Sequence, residues 1–458
     1  MDFSSFSQSP LLSDLSRRKM LGGLSLAGVM ISPLSALTAQ AAHVSKKEEG
    51  APEITVDQAR QAPIPLVLTD FGSPEGQTIS AIIAGDLAST GLFRVVSGGF
   101  LPANVPPDFT AMTRRGVRAV VTGKITVSGD QLTVEMRLWD APAAKQLQGT
   151  SYSASMRSSR RIAHIIADVI YQRLLGEVGY FDTRVAYIAL SGPRHKQTTR
   201  LAIMDYDGAN QHFLTDGRWL TLEPRFNPIK DQIAFLSYAG DRPRVYLYDL
   251  QTGNQSLMGE FEGMSYAPRF SPDGKFLILA ETTRSGGSDM YIIDVKTRQQ
   301  RRLSHAPGVI DTSPCFSPDG SQIVFNSDRG GSPQLYIMPA AGGPAKRISY
   351  GNGRYGSPVW APSGDLIAFT RINGNGFSLG IMHPDGTGER ILTQGFTVEG
   401  ASFCPNGRVL TFCKQTAAGS QGAGFNSQLA TIDITGYNER VIPTATLASD
   451  PAWSPRRD

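Results

Sequence analysis

The sequence predicts a small α/β domain followed by an all-β six-bladed β-propeller, which closes by pairing its C-terminal strand with the first blade. Three observations predict this fold. A P-x-[FW]-x-P motif recurs at intervals of 44, 46, 44, 43 and 50 residues. Turn-forming residues are abundant, with 48 Gly and 29 Pro among 458 residues. The segment before the first repeat lacks this period and alternates strand with helix patterns.

The composition excludes a disordered chain and a polyanion-binding protein. Hydrophobic residues make up 40% of the chain, which is enough for a sizeable core. The 44 Lys and Arg against 40 Asp and Glu leave a net charge of +4. This excess is too small for binding that works by neutralising phosphates, so we expect no nucleic-acid partner.

Residues 1–41 have the pattern of a signal peptide. Arg17, Arg18 and Lys19 precede an uncharged stretch that ends in the small residues Ala39-Gln40-Ala41. We expect cleavage near Ala41 and export to the periplasm. Glycines and Pro33 within the stretch favour a signal peptide over a membrane anchor. The basic segment leaves both the Sec and the twin-arginine export routes open.

Residues 42–52 are polar and charged, which predicts a mobile N-terminal arm. Residues 53–180 then predict the α/β domain. Apolar runs predict strands at 65–71, 93–96 and 117–127, and a hairpin partner at 131–139. Apolar residues at helical spacing predict amphipathic helices at 77–90 and 158–175.

Residues 181–458 carry the propeller repeats, each predicting four short strands. The inner-strand motif has six copies: Pro224-Arg225-Phe226-Asn227-Pro228, Pro268-Arg269-Phe270-Ser271-Pro272, Pro314-Cys315-Phe316-Ser317-Pro318, Pro358-Val359-Trp360-Ala361-Pro362, the degenerate Ala401-Ser402-Phe403-Cys404-Pro405, and Pro451-Ala452-Trp453-Ser454-Pro455. S-P-D-G sequences after two copies predict tight turns. The first repeat begins at Arg184 without the motif, whereas the chain ends on a spare copy. The two ends should therefore form one blade and remove exposed sheet edges.

Sequence motifs for catalysis or metal binding are weak. Gly376-Phe377-Ser378-Leu379-Gly380 matches a nucleophile elbow, but it falls in a predicted strand rather than a strand-turn-helix unit. The six histidines show no repeated spacing, and Asp205-Tyr206-Asp207-Gly208 is interpreted as a turn. The three cysteines, Cys315, Cys404 and Cys413, are expected to be buried thiols. We therefore predict no catalytic residue, metal or cofactor, and expect function on the variable loops before the inner strands.

From residue 53 to its end, the chain resembles the TolB family of the bacterial Tol-Pal envelope system. The resemblance rests on the α/β domain, the S-P-D-G turns, the segment Arg184-Val185-Ala186-Tyr187-Ile188 followed by Asp205-Tyr206-Asp207-Gly208, and the terminal motif. It implies a non-enzymatic, monomeric periplasmic adaptor. The adaptor's partners are Pal, the peptidoglycan-associated lipoprotein, and the inner-membrane protein TolA. The implied roles are outer-membrane invagination during cell division and outer-membrane integrity.

The resemblance also implies two sets of contact residues. Pal would bind at the propeller mouth through Glu223, Met264, Tyr266, Thr312, Ser313 and Tyr355. TolA would bind an N-terminal segment composed of Glu53, Ile54, Thr55, Val56 and Asp57. Two alternatives stay open at this point, namely a periplasmic propeller hydrolase and a carbohydrate-binding module. The absent His/Asp constellation argues against the hydrolase. The repeated inner-strand aromatics are more simply explained as blade-to-blade core than as sugar platforms.

Overall fold

A computed structural model of the protein describes residues 62–240, 242–259, 261–374, 376–417 and 426–457. The predicted signal peptide (1–41), the predicted arm (42–52) and the expected TolA-binding residues Glu53, Ile54, Thr55, Val56 and Asp57 lie outside these described residues. Within the described ranges, no helix is both long enough and apolar enough to cross a membrane.

The α/β domain is built on a five-stranded mixed sheet with strand order β2-β1-β3-β4-β5. Its strands are β1 (Ile64–Asp70), β2 (Phe93–Phe100), β3 (Ala119–Ser128), β4 (Gln131–Asp140) and β5 (Lys145–Ser155). β1 pairs in parallel with both β2 and β3, whereas β3, β4 and β5 form an antiparallel meander. The hairpin expected around 128–131 is present as the β3–β4 connection.

The described part of this domain also has three helices: α1 (Pro74–Ser89), α2 (Phe109–Arg114) and α3 (Ser159–Leu175), the last preceded by a 3-10 turn at Met156–Ser158. α1 begins earlier than the apolar spacing predicts, because the Ser73 side chain accepts a hydrogen bond from the Gly76 N–H and Pro74 follows it. α3 ends at Gly176, whose φ of +77° suits glycine. The buried faces of α1 and α3 pack on the sheet in one core.

Six four-stranded antiparallel sheets follow, as the repeats predict. From the innermost strand outward they are blade 1, β29 (Leu447–Trp453), β6 (Arg184–Ser191), β7 (Thr198–Asp205) and β8 (His212–Phe213); blade 2, β9 (Thr221–Phe226), β10 (Gln232–Ser237), β11 (Arg244–Asp249) and β12 (Gln255–Leu257); blade 3, β13 (Ser265–Phe270), β14 (Phe276–Thr282), β15 (Ser288–Asp294) and β16 (Gln300–Arg302); blade 4, β17 (Asp311–Phe316), β18 (Gln322–Ser327), β19 (Gln334–Pro339) and β20 (Lys346–Arg347); blade 5, β21 (Arg354–Trp360), β22 (Ile367–Asn373), β23 (Gly376–Met382) and β24 (Arg390–Gly395); and blade 6, β25 (Thr397–Phe403), β26 (Val409–Thr416), β27 (Asn426–Asp433) and β28 (Arg440–Ile442).

The predicted closure of the ring is confirmed. β29, the last strand of the described chain, is the innermost strand of blade 1 and pairs with β6 from Leu447↔Leu190 to Trp453↔Val185. The Trp453 indole N–H donates to Thr183 Oγ1 at 2.8 Å, and the Arg184 N–H donates to Ser454 Oγ at 2.8 Å. Closure removes the edges that an open array would expose.

The propeller has two ends, which we call the mouth and the base. The mouth carries the loops that precede the inner strands. The base carries the turns that join the first strand of each blade to the second and the third to the fourth. The α/β domain packs on the base at blades 6 and 1: Asn406 Nδ2 donates to the Val178 carbonyl and Asn438 Nδ2 to the Ser89 carbonyl, both at 2.7 Å. One core cluster runs from the α/β sheet through Tyr180 and Phe181 to Trp453.

Candidate partner-binding mouth of the propeller

Apolar side chains are exposed in the loops that form the mouth. Trp219 (48% exposed) and Leu220 (37%) precede β9, Met264 (42%) precedes β13, and Phe396 (44%) precedes β25. Large exposed apolar side chains on a rigid surface are typical of protein-binding sites. Because the α/β domain packs on the base, the described part of the chain leaves this end of the propeller uncovered.

The inner strands share a bulge at the mouth. In every blade the residue before the first position of the motif has a left-handed backbone, namely Glu223, Ala267, Ser313, Ser357, Gly400 and Asp450, with φ between +49° and +70°. The pairing register with the second strand shifts at this point, as in the β9–β10 pair. Proline cannot donate a ladder hydrogen bond, so a bulge accommodates it. The sequence does contain the signal for this feature, because none of the six residues is β-branched.

The structure brings three of the sequence-predicted contact residues together across blades 2, 3 and 4. Glu223 Oε2 accepts a hydrogen bond from the Ala267 N–H at 2.8 Å, which links blade 2 to blade 3. Burial raises the pKa of the Tyr266 hydroxyl, hydrogen bonds with the Ser288 and Thr312 side chains lower it, and the Glu223 charge raises it. Glu223, Tyr266 and Thr312 therefore form one polar group beside the exposed Met264.

A buried ion pair fixes the loop that carries Thr312. Asp311 is fully buried, and Arg329 Nη2 lies 2.9 Å from each of its carboxylate oxygens. The Arg329 guanidinium also stacks 5.1 Å from the Phe325 ring centroid and 5.2 Å from that of Tyr336. Sequence reasoning missed this pair, since Asp311 and Arg329 are 18 residues apart and no motif joins them.

The other two expected Pal contacts have different surroundings. Ser313 has the left-handed bulge conformation, with φ +52°. Tyr355 is only 1% exposed, and its hydroxyl donates to the Glu389 carboxylate, 2.9 Å from Oε1 and 2.8 Å from Oε2. Its ring lies 5.2 Å from that of Phe369. Tyr355 thus supports the loops from within the core and presents no surface to a partner.

The segment that matches a nucleophile elbow is a regular strand. β23 runs through Gly376–Met382, and Ser378 within it is buried and pairs with Arg371 and Gln394. This confirms the strand interpretation of the motif. The three cysteines are buried thiols as expected, and burial raises the pKa of Cys404 to about 12, which makes it a poor nucleophile.

A second polar cluster lies where α1 and α3 meet the base of blade 1. Asp86 Oδ2 is 2.7 Å from His164 Nδ1, and Asp86 Oδ1 accepts a hydrogen bond from the Tyr206 hydroxyl at 2.6 Å. Burial lowers the pKa of His164, but the Asp86 hydrogen bond and charge, with Asp207, outweigh it and raise the pKa. Asp205-Tyr206-Asp207-Gly208 forms the expected turn, in which the Gly208 N–H donates to the Asp205 carbonyl at 3.0 Å.

Asp86, His164 and Asp207 also place one potential metal ligand each within 4.8 Å of one another. However, Arg160 of α3 pairs with Asp207 and with Asp205, 3.3 Å from the latter, and already supplies positive charge there. The cluster is therefore explained as a hydrogen-bonded and ionic contact between the α/β domain and the propeller.

The fold defines a class of protein: a six-bladed propeller with an α/β domain packed on its base. Residues 171–457 match the family model described as TolB beta propeller domain, and residues 52–147 match that of the TolB amino-terminal domain. A Tol-Pal system protein TolB from Gluconobacter oxydans (strain 621H) is 62% identical over 457 residues, covering 100% of both chains. The crystal structure of TolB from Acinetobacter baumannii aligns with a TM-score of 0.74 at 29% identity, covering 86% of this chain and 97% of that one.

The chain belongs to the TolB family.

Proposed function

We propose that this protein is a non-enzymatic periplasmic adaptor of the Tol-Pal system that binds Pal at the propeller mouth and TolA through its N-terminal segment. It acts as a monomer and supports outer-membrane invagination during cell division and outer-membrane integrity. The observation that carries the proposal is the mouth itself, where the exposed Trp219, Leu220 and Met264 lie in the same loops as the polar group of Glu223, Tyr266 and Thr312.

Three features of the mouth suit a folded protein partner. Met264 and Trp219 offer apolar anchors of the kind that dominate interface energetics. The polar group beside them supplies hydrogen bonds that fix orientation. The Asp311–Arg329 pair and the six bulges hold the loops in place, so little conformational entropy is lost on binding. The relative's designation as a Tol-Pal system protein supports the choice of system.

The proposed contacts with TolA and the proposed export rest on the sequence. The segment Glu53, Ile54, Thr55, Val56 and Asp57 precedes β1, the first described strand, which begins at Ile64. The pattern of residues 1–41 supports export to the periplasm.

Calorimetric titration with Pal tests the proposed site. Met264→Glu places a charge on the exposed apolar surface, and Thr312→Arg removes a hydroxyl beside Tyr266 and fills the space with a long cation. We expect each variant to bind Pal at least about tenfold more weakly, the loss typical of a central interface residue. Ile229→Glu, at a 61% exposed position on the base, is the matched control and should bind as the wild type does. If Met264→Glu, Thr312→Arg and Ile229→Glu all bind Pal with the same affinity, the assignment of Pal binding to the mouth is refuted.

A further inference from the structure

A buried serine at the start of β15 contacts the mouth loop of the next blade. Ser288 is only 2% exposed. Its N–H donates to the Val309 carbonyl at 2.9 Å, and its Oγ donates to the Asp311 carbonyl at 2.8 Å. Ser288 also forms a parallel bridge with Ile310. These contacts connect blade 3 to the segment of blade 4 that leads into Thr312.

The segment is held from both blades. On the side of blade 3, Gly287 precedes Ser288, and a Cβ at Gly287 would clash with the Val309 carbonyl oxygen. Glycine therefore permits the close approach of β15 to the loop. On the side of blade 4, the buried Asp311 carboxylate is paired with Arg329. Ser288 thus supplies the side-chain hydrogen bond from blade 3 to a loop that its own blade already fixes.

Ser288 also takes part in a chain of hydroxyl groups. Burial raises the pKa of Tyr266, and hydrogen bonds with the Ser288 and Thr312 side chains oppose this rise. A serine hydroxyl has one proton to donate and lone pairs to accept. Because the Ser288 proton goes to the Asp311 carbonyl, its oxygen is left to accept from Tyr266. The Tyr266 oxygen in turn accepts from the Thr312 hydroxyl, so the chain begins at Thr312 and ends at the adjacent residue.

We propose that Ser288 is a positioning residue for Pal binding, which holds the Thr312 side chain in the orientation that Pal contacts. It acts through the Tyr266 hydroxyl and the Asp311 carbonyl, since a side chain that is 2% exposed offers no surface to a partner. Tyr266 and Thr312 are partly exposed. Hydrogen bonds that fix their orientation before binding reduce the conformational entropy lost in the complex. The inference rests on the proposed function, because it takes Thr312 as a Pal contact.

The repeats provide a matched position on the opposite side of the ring. Ser427, the second residue of β27, is 1% exposed, and its Oγ donates to the Ala448 carbonyl at 2.8 Å. Ala448 and Asp311 each precede the motif proline of their inner strand by three residues. Ser427 therefore makes between blades 6 and 1 the contact that Ser288 makes between blades 3 and 4. The six expected Pal contacts lie on blades 2 to 5 and on the loop before β13.

Calorimetric titration with Pal compares Ser288→Ala with Ser427→Ala in the full mature protein. Each variant loses one buried hydroxyl and the same kind of hydrogen bond between blades, so thermal melting should show similar decreases in stability. We expect Ser288→Ala to bind Pal about tenfold more weakly, because the Thr312 side chain is no longer held in place. Ser427→Ala should bind as the wild type does. A purely structural role of the two serines predicts no such difference.

A double-mutant cycle with Thr312→Ala tests whether Ser288 acts through the mouth contact. Thr312→Ala alone should also weaken Pal binding. In that background Ser288→Ala should cause little further loss of affinity, because the hydroxyl that Ser288 positions is absent.

Three results would each overturn the positioning role: wild-type affinity of Ser288→Ala, equal losses of affinity in Ser288→Ala and Ser427→Ala, or an undiminished effect of Ser288→Ala in the Thr312→Ala background. Met264→Glu and Thr312→Arg distinguish these results from failure of the proposed function. If both weaken Pal binding while Ser288→Ala does not, the positioning role alone is refuted. If neither weakens it, Pal does not bind at the mouth.

Discussion

Single buried residues hold the α/β domain on the propeller. Asp168 of α3 is one of them: its Oδ1 accepts a hydrogen bond from the Phe181 N–H at 2.7 Å, and its Oδ2 accepts one from the Asp182 N–H at 3.1 Å. These bonds orient the segment that leads into β6. Burial raises the pKa of Asp168 to about 6, although the two N–H donors oppose the shift. The hydrogen bonds of Asp168 therefore stabilise the domain junction, whereas burial of its ionised carboxylate destabilises the folded state to an extent that depends on pH.

The raised pKa of Asp168 predicts that the free energy of unfolding depends on pH. The folded protein binds a proton at Asp168 up to about pH 6, whereas the unfolded chain releases it near pH 4. The contribution of this group to stability is therefore present at low pH and is lost as pH rises from about 4 to above 6, by about 3 kcal/mol. Asp168→Asn does not titrate, so its stability relative to the wild type should rise over this range. Urea unfolding at pH 4, 5, 6 and 7 measures the difference, and a pH-independent difference would contradict the assignment.

At the scale of elements, β29 joins the end of the chain to its first repeat. The Trp453 ring packs against Tyr180 at a centroid distance of 5.8 Å and against Tyr206 at 6.4 Å, so the strand also contributes to the junction with the α/β domain. The closure was predictable, because the first repeat lacks its inner-strand motif and an additional copy of this motif follows the last repeat. By contrast, β5 and α2 carried no clear pattern: β5 is a mostly polar edge strand and α2 buries no residue.

Deletion of residues 450–458 tests the closure. It removes most of the inner strand of blade 1 together with Trp453, and exposes two sheet edges. We expect the truncated protein to aggregate or to be degraded. Recovery as a soluble protein is measured by fractionation and its stability by thermal melting. A matched deletion of Asp458 alone keeps β29 intact and should melt as the wild type does. A soluble 450–458 deletion with an unchanged melting temperature would show that β29 does not support the ring.

The two ends of the propeller differ, since the base carries the α/β domain, whereas within the described residues the mouth is uncovered. The repeats predicted the propeller and indicated the variable loops before the inner strands as its functional surface. They could not predict which loop residues are accessible, because the burial of Tyr355 depends on Glu389 and Phe369. Nor could they predict the polar cluster between the α/β domain and blade 1, in which Asp86 contacts His164 and Tyr206, 78 and 120 positions away. Contacts between distant residues leave no periodic signal in a single sequence.

We also propose that the N-terminal segment acts as a switch between the two partners. If the N-terminal segment alters the affinity of the mouth, deletion of residues 42–57 should abolish TolA binding and change the free energy of Pal binding by about 1–3 kcal/mol, the usual range of allosteric coupling. Calorimetry with both partners measures both effects. Deletion of residues 42–52 alone is the matched control, because it removes the polar arm and keeps Glu53 to Asp57. Unchanged affinities for Pal and TolA after the longer deletion would eliminate the switch and leave the fold unaffected.

Hydrogen–deuterium exchange with and without Pal tests the proposal that Pal binds at the propeller mouth. Peptides covering residues 219–223, 263–267 and 308–313 should gain protection when Pal is added, because their backbone amides lie at the mouth. Base turns such as residues 271–276 and 317–322 should exchange at unchanged rates. Protection confined to the base, with the mouth segments unaffected at a saturating concentration of Pal, would show that Pal does not bind at the mouth.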